Sequence, residues 1–308
     1  MNATAPAIEA RGLVKRYGDL TAVDGIDLRA LPGQCLGLLG PNGAGKTTTI
    51  EILEGLMPAD AGEVRILGLT WKDSGRALRR RIGVQLQETQ MPDKLTVQEI
   101  LEMFRCFHRE GREIDDVLDL VALREKRRAR TSNLSGGQRQ RLALGVALVG
   151  APEILFLDEP TTGLDPQARR RVWEIVEDFK GQGGTVLLTT HYMDEAERLS
   201  DDLLIIDHGK AIAAGSPAAI IASLEAESIV SFEAGSVEIG RFSALPGVVQ
   251  SRIDAGRVEL SARSTDELIQ PLLEVMRGLG VEVADLRIHR PTLEDVFVHL
   301  TGRHLRDA

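Results

Sequence analysis

The chain has 308 residues, 46 acidic against 37 basic side chains, and a formal net charge of −9, a balance that argues against a general nucleic-acid binder. Its 43% apolar content suits a globular core and its length suits about two domains. No run of 18 apolar residues occurs, residues 1–11 lack a secretion leader, and two distant cysteines, Cys35 and Cys106, form neither a disulfide framework nor a zinc spacing; a soluble protein of a reducing compartment is expected.

From residue 8 to about 224, short apolar runs alternate with helical patterns. Residues 8–17 and 23–31 alternate in polarity with no helix between them, which predicts an antiparallel pair beside a larger sheet. The near-continuous apolar runs 35–39, 82–86, 154–157, 185–189 and 203–206 predict strands of a mostly parallel sheet covered on both faces. Helical patterns fall at 45–56, 97–109, 138–149, 166–179 and 194–199. Composition changes after Leu224: no lysine follows Lys210, and residues 225–308 carry 14 acids against 9 arginines. Strands are expected there at 228–232, 248–253, 258–261 and 281–288, with a turn at Ala255-Gly256 and helices at 237–245, 265–278 and 293–300. That β-α-β-β-α-β order plus a last helix is the split-βαβ, ferredoxin-like arrangement. In the last helix Leu293, Val296, Phe297 and Leu300 are spaced to bury one face. The division expected is therefore 1–224 and 225–308.

The sharpest local signal is Gly40-Pro41-Asn42-Gly43-Ala44-Gly45-Lys46-Thr47, which fits G-x-x-x-x-G-K-[ST] between a predicted strand and a predicted helix. A chain of this composition would contain the pattern by chance roughly 0.007 times. Glycines let backbone amides turn toward phosphates, and the following helix adds the positive end of its dipole. Lys46 would contact the β- and γ-phosphates and the Thr47 hydroxyl a Mg²⁺ ion, with Thr48 beside them. Further along stand Leu134-Ser135-Gly136-Gly137-Gln138 and the run Ile154-Leu155-Phe156-Leu157-Asp158-Glu159-Pro160.

Taken together, these motifs resemble the ATPase subunit of an ATP-binding cassette (ABC) transporter, and the resemblance covers residues 8–222. It implies a phosphate-loop α/β fold with an antiparallel β subdomain and a helical subdomain at about 88–150. In that family the phosphate loop is Walker A and LSGGQ is the signature. Asp158 matches the Walker B aspartate, which holds Mg²⁺ through a water, and Glu159 the catalytic carboxylate. Gly163-Leu164-Asp165 resembles the D-loop, His191 after Thr189-Thr190 the switch histidine, and Tyr17 the aromatic that stacks on adenine. Of the two glutamines in Gly83-Val84-Gln85-Leu86-Gln87-Glu88, Gln87 matches the Q-loop glutamine that senses Mg²⁺ and water, and Gln85 is left without a role. Glu159 has no basic neighbour in sequence to pair with, so it is expected to be free to act on the attacking water. Histidines 108, 208, 289, 299 and 304 are expected to be surface or core residues.

The same resemblance implies partners. Ser135, Gly136 and Gly137 would meet the γ-phosphate bound to a second copy, giving an ATP-sandwich homodimer with two competent sites. A separate transmembrane permease would dock near residues 95–107, holding the subunit on the inner face of the membrane indirectly. The basic clusters Arg76/Arg79/Arg80/Arg81 and Arg124/Lys126/Arg127/Arg128/Arg130 read as solvated faces, with a permease or acidic lipid contact as the alternative. The stretch Thr190-His191-Tyr192-Met193-Asp194-Glu195-Ala196-Glu197 and the ending Pro291-Thr292-Leu293-Glu294-Asp295-Val296-Phe297 resemble the exporter branch for drugs, antibiotics and polysaccharides. An importer subunit is the nearest alternative, and a non-transport ABC ATPase a more distant one.

Overall fold

The computed structural model describes residues 5–86, 90–234, 239–254, 256–279 and 285–302. They belong to two compact units, Met1–Pro217 and Ala218–Asp307.

In the first unit, β1 (Ile8–Tyr17) and β2 (Leu20–Ala30) form an antiparallel hairpin closed by the pair Tyr17 and Leu20. β3 (Cys35–Leu39) runs into α1 (Lys46–Leu53), and β4 (Ala61–Ile66) then pairs with β1. The outlying sheet thus has three strands, β2-β1-β4, where a pair was expected. β4 escapes a pattern reading because its six residues, AGEVRI, hold only two large apolar side chains and open on Ala-Gly. α2 (Trp71–Leu78) is another addition; mostly polar, it is started by the Thr70 hydroxyl, which accepts from the Asp73 N–H.

β5 (Ile82–Gln85) precedes the helical layer α3 (Val97–Arg105), α4 (Ile114–Leu120) and α5 (Gly136–Leu148). α3 starts at a capping box between Thr96 and Glu99. It ends four residues sooner than expected, because the Arg105 guanidinium turns to donate to the carbonyls of His108 and Arg112. The remaining elements are β6 (Ile154–Asp158), α6 (Pro166–Gly181), β7 (Thr185–Thr190), α7 (Met193–Leu199), β8 (Asp202–Asp207) and β9 (Lys210–Gly215). The main sheet has the order β5-β6-β7-β3-β8-β9, parallel except for β9.

Side-chain alternation divides the interior between two cores. Ile154 and Phe156 face β1, β2 and α1, where Ile8, Leu13, Ile50 and Leu53 are buried. Leu155 and Leu157 face the helical layer and α6, with Leu101, Val117, Leu144 and Val176. Both faces being covered explains why these strands read as unbroken apolar runs. Several of the arginines read as solvated are paired within the unit: Arg124 and Arg127 with Asp115, Arg124 also with Asp119, and Arg81 with Glu153.

α8 (Pro217–Ala222) leads to the second unit: β10 (Ser228–Glu233), α9 (Gly240–Ser243), β11 (Val248–Asp254), β12 (Arg257–Ala262), α10 (Thr265–Gly278), β13 (Arg287–His289) and α11 (Leu293–Thr301). The sheet order β11-β12-β10-β13, antiparallel throughout, is the strand order of a split β-α-β-β-α-β unit. Val230, Phe232, Val258 and Leu260 pack beneath Phe242, Leu268, Leu272 and Met276. Part of the expected first helix (237 and 238), Ala255 of the expected turn and residues 281–284 of the expected last strand lie outside the described residues. In α11, Leu293, Val296 and Phe297 are buried, and Leu300 is 44% exposed in the single chain. It occupies the last turn of α11, just before the stop at Gly302 (φ 74°).

Gly83 of β5 lies so close to α5 that a Cβ would overlap the Ala147 carbonyl, whereas one at Gly181 would meet open space. Gly83→Ala should therefore lower unfolding stability by about 1–3 kcal/mol, and Gly181→Ala should leave it level or raise it by up to about 1 kcal/mol. Urea titration of both variants measures the contrast.

Candidate functional site

Strand register assembles the site. Pairing sets Asp158 beside Thr189 and Leu39 beside Thr190, so β6, β7 and β3 end level with one another. The loops that follow all leave from that carboxyl edge, the place where open α/β sheets bind ligands.

After β3 comes the phosphate loop. A Cβ at Gly40 would overlap the Ile206 carbonyl and one at Gly45 the Ala22 carbonyl, and Gly43 and Gly45 hold φ of 79° and 102°. Side chains are excluded, so the backbone N–H groups and the start of α1 form the wall. Lys46 is buried, its Nζ donating to the carbonyls of Gly40 (2.8 Å) and Pro41 (3.0 Å) and lying 3.4 Å from Glu159 Oε1. Burial lowers the Lys46 pKa, and the neighbouring Glu159 works against that. The Thr47 hydroxyl donates to Asp158 Oδ1 at 3.4 Å, and the Thr189 hydroxyl donates to the same oxygen. Burial raises the Asp158 pKa. These are hard oxygen donors, and Mg²⁺ characteristically takes one or two from protein and the rest from water and phosphate. Among the described residues no group of three or more His, Cys, Asp and Glu side chains is placed to hold a metal ion.

Glu159 is not free, and that expectation is corrected. Sequence distance concealed its partners: Lys46 at 3.4 Å and His191, whose Nδ1 stands 3.2 Å from Oε1. The Thr162 hydroxyl donates to its other oxygen at 3.1 Å. The His191 ring first, then the Lys46 ammonium, hold the Glu159 pKa down to about 2 against the effect of burial. Its backbone has φ of 46°, a left-handed conformation costing about 1–3 kcal/mol for a residue with a side chain. The Glu159 N–H donates to the Thr189 hydroxyl (3.0 Å) and to the Thr189 carbonyl (3.2 Å), which holds it there.

Other expected site residues stand apart from this cluster. Tyr17, at the hairpin tip, is 47% exposed, and its hydroxyl donates to the Met57 sulfur at 3.2 Å. The same hairpin carries Ala22, whose carbonyl abuts Gly45. Ser135 caps α5, with Gln138 closing the capping box. Gly137 sits so close to the start of α6 that a Cβ would lie 2.7 Å from the Ala168 Cβ, which places the signature next to the D-loop. Asp165 caps α6, accepting from the N–H groups of Gln167 and Ala168, both at 2.9 Å. No hydrogen bond among the described residues joins residues 134–138 to the phosphate loop. Gln87 lies outside the described residues; Gln85 is buried, and neither of its amide atoms has a hydrogen-bond partner among them. Sequence reasoning missed Thr189, Thr162 and Glu195. Thr189 had one signal: a hydroxyl that follows the apolar run Val186–Leu188 in a fully buried strand.

The ABC transporter family pattern matches residues 23–162. The chain is 42% identical to the Nod factor export ATP-binding protein I of Paraburkholderia xenovorans, over 98% of this chain and 99% of that one. It is 40% identical to the daunorubicin resistance ATP-binding protein DrrA3 of Streptomyces coeruleorubidus, over 98% of each. The chain belongs to the ABC transporter ATP-binding family. It is thus an ATP-hydrolysing subunit, of a family whose ATPase subunits dimerise and work with a transmembrane permease. A solved structure of an ATP-binding subunit of an ABC transporter superposes with a TM-score of 0.65 at 26% identity, covering 70% of this chain and 92% of the other. No helix among the described residues is long and apolar enough to cross a membrane.

Glu159→Gln keeps the shape of the side chain and removes its charge. It should slow hydrolysis by about 10²–10⁴ while nucleotide binding persists, as read by single-turnover assay and fluorescent-nucleotide titration. A carboxylate whose pKa falls from 4.5 toward 2 on folding stabilises the protein above about pH 4.5, and loses that effect as pH drops through 2. The urea midpoint of Glu159→Gln should therefore lie below wild type at pH 7 and converge with it near pH 2–3.

Proposed function

We propose that this subunit binds Mg²⁺-ATP at the carboxyl edge of β3, β6 and β7 and drives an exporter permease that is a separate polypeptide. The observation that carries the chemistry is the meeting of Lys46, Thr47, Asp158, Glu159 and His191 from three separate stretches of chain. Residues 40–48 enclose the phosphates, with Lys46 on the β- and γ-phosphates. Thr47 and Asp158 would hold Mg²⁺, which would supply positive charge against the phosphates. Tyr17 stacks on adenine, and Gln87 links the ion and the attacking water to the permease side. Glu159 orients and deprotonates that water. Paired with Lys46 and beside the His191 ring it is a weak base; a triphosphate competing for Lys46 withdraws that ammonium and raises its basicity. His191 then hydrogen-bonds the γ-phosphate.

The signature residues Leu134, Ser135, Gly136, Gly137 and Gln138, with the D-loop Gly163, Leu164 and Asp165, act on the nucleotide of a second copy. The capped start of α5 offers a hydroxyl, amides and a dipole to an anion, and among the described residues no hydrogen bond joins it to its own phosphate loop. Export, rather than uptake, is supported by the two relatives, one named for daunorubicin resistance and one for Nod factor export, each aligned over almost the whole chain. A drug-like, lipid or polysaccharide cargo fits this reading. Attachment to the cytoplasmic side of the membrane would come through the permease. Residues 225–308 serve as an accessory domain for dimerisation or regulation.

Two experiments test this. Lys46→Ala and Ser135→Arg should each abolish hydrolysis, the first by removing nucleotide binding and the second with binding intact. Mixing the two chains should restore activity, because one of the two composite sites then has both parts wild type. No recovery from a verified heterodimer refutes sharing of sites between copies. A chain ending at residue 224 should retain ATP binding and turnover per site, with dimerisation or its regulation altered; loss of binding in a folded dimer refutes the two-domain division.

A further inference from the structure

Glu195 has no part in the chemistry described above, yet it is the most enclosed acid near it. It lies on α7, four residues after His191, and is 0% exposed. Its Oε1 accepts the Thr161 hydroxyl and the Trp173 indole N–H, each at 2.9 Å. Oε2 is buried without a hydrogen-bond partner among the described residues. The Thr190 hydroxyl stands close enough to favour the carboxylate against the burial that raises its pKa.

These partners come from three segments. Thr161, 0% exposed, lies in the turn that begins at Glu159, and Trp173 lies on α6, the helix that Asp165 caps. Thr190 immediately precedes His191, and its oxygen accepts the Tyr192 N–H at 2.9 Å, so the residues on both sides of His191 are fixed to one hydroxyl. A second layer encloses the first: the Arg169 guanidinium lies 4.1 Å over the Tyr192 ring and pairs with Asp194 at 3.3 Å. A left-handed residue such as Glu159 keeps its conformation only where its surroundings over-determine it. Thr189 fixes one side of that turn, and Glu195 fixes the other through Thr161.

We propose that Glu195 is a positioning residue for hydrolysis: one buried carboxylate joins the Glu159 turn, α6 and the His191 loop, and so sets the separation of Glu159 and His191. The proposal rests on the reading of those two residues as the hydrolytic pair. It differs from a core-packing role in what it predicts for kinetics. Displacing the pair by an ångström costs turnover by up to about 10² and leaves the phosphate loop, and hence ATP affinity, untouched.

The test uses the full-length protein, with ATP affinity read by fluorescent-nucleotide titration and turnover at saturating ATP. Glu195→Leu removes both acceptors and should lower kcat about tenfold or more, with affinity within twofold of wild type. Glu195→Gln keeps a carbonyl oxygen for Thr161 and Trp173 and should retain kcat within about threefold. Thr161→Val should lower kcat severalfold on its own and add little to Glu195→Leu, since both remove the same link. If Glu195→Leu fails to fold, Thr161→Val and Trp173→Phe, each deleting one donor, must still lower kcat at unchanged affinity. Unchanged kcat in these variants, or a fall matched by affinity or by the folded fraction, overturns the proposal. Glu159→Gln assayed in parallel separates the failures. Normal turnover there defeats the hydrolytic pair, and this proposal with it; slow turnover there beside normal Glu195→Leu defeats the positioning role alone.

Discussion

The site depends on the way Thr189 is bonded. Its hydroxyl donates to Asp158 and accepts from the Glu159 N–H, while its carbonyl also accepts from that N–H. Parallel pairing of β6 with β7 puts Thr189 opposite Asp158, so a single register fixes both carboxylates. The chain then turns at Glu159 through a left-handed conformation, which swings the next side chain away from the strand's alternation and toward Lys46 and His191. A slip of one residue between these strands would send Asp158 into the helical core and leave the Glu159 N–H without its acceptor.

Around that turn the electrostatics are those of a buried pair with a third member. Lys46 and Glu159 are 4% and 6% exposed, so neither is satisfied by water. Removing one partner of such a pair leaves an uncompensated charge and costs about 3–5 kcal/mol, while an intact pair adds little net stability. The pair is therefore better understood as poised than as structural. On the proposed reading, a polyphosphate would offer Lys46 more negative charge than Glu159 does, and release of the carboxylate would then be coupled to arrival of the substrate. Such coupling would need only the Lys46–Glu159 pair and no change in the fold.

The parts of this arrangement differ in how plainly the sequence announces them. Strands β3, β6 and β7 are buried on both faces and read directly as apolar runs; the loop glycines announce conformations no other residue holds well, and Ser135 and Asp165 announce helix starts. Partnerships across long sequence separations are not legible in this way. Lys46 and Glu159 are 113 residues apart, and only the strand order β6-β7-β3 brings them together. β4 and α2 are weakly patterned because they are mostly exposed, and a half-covered element carries too few apolar positions for its period to emerge. Glu195 looked like one acid among several in an acidic helix, because burial of a charged residue is set by what packs over it and leaves no mark in the local pattern.

An acidic chain that binds a polyanion must also limit its own negative charge near the site. Asp158 and Glu159 are unavoidable there, Glu51 lies on the helix that starts at Lys46, and Glu54 caps its end. Glu54 is 3% exposed, and neither of its carboxylate oxygens has a hydrogen-bond partner among the described residues. Burial first, then the nearby Asp158 and Glu51, push its pKa up to about 8, toward the neutral form. Glu51 is shifted in the same direction. The formal charge of −9 thus overstates the field that a nucleotide meets at α1. The proposed phosphate site presents a helix start, a set of backbone amides and one ammonium, with Glu159 paired to Lys46, Asp158 bonded to hydroxyls and Glu54 shifted toward its neutral form. Burial, which makes each of these carboxylates costly singly, is also what keeps the pocket receptive to an anion.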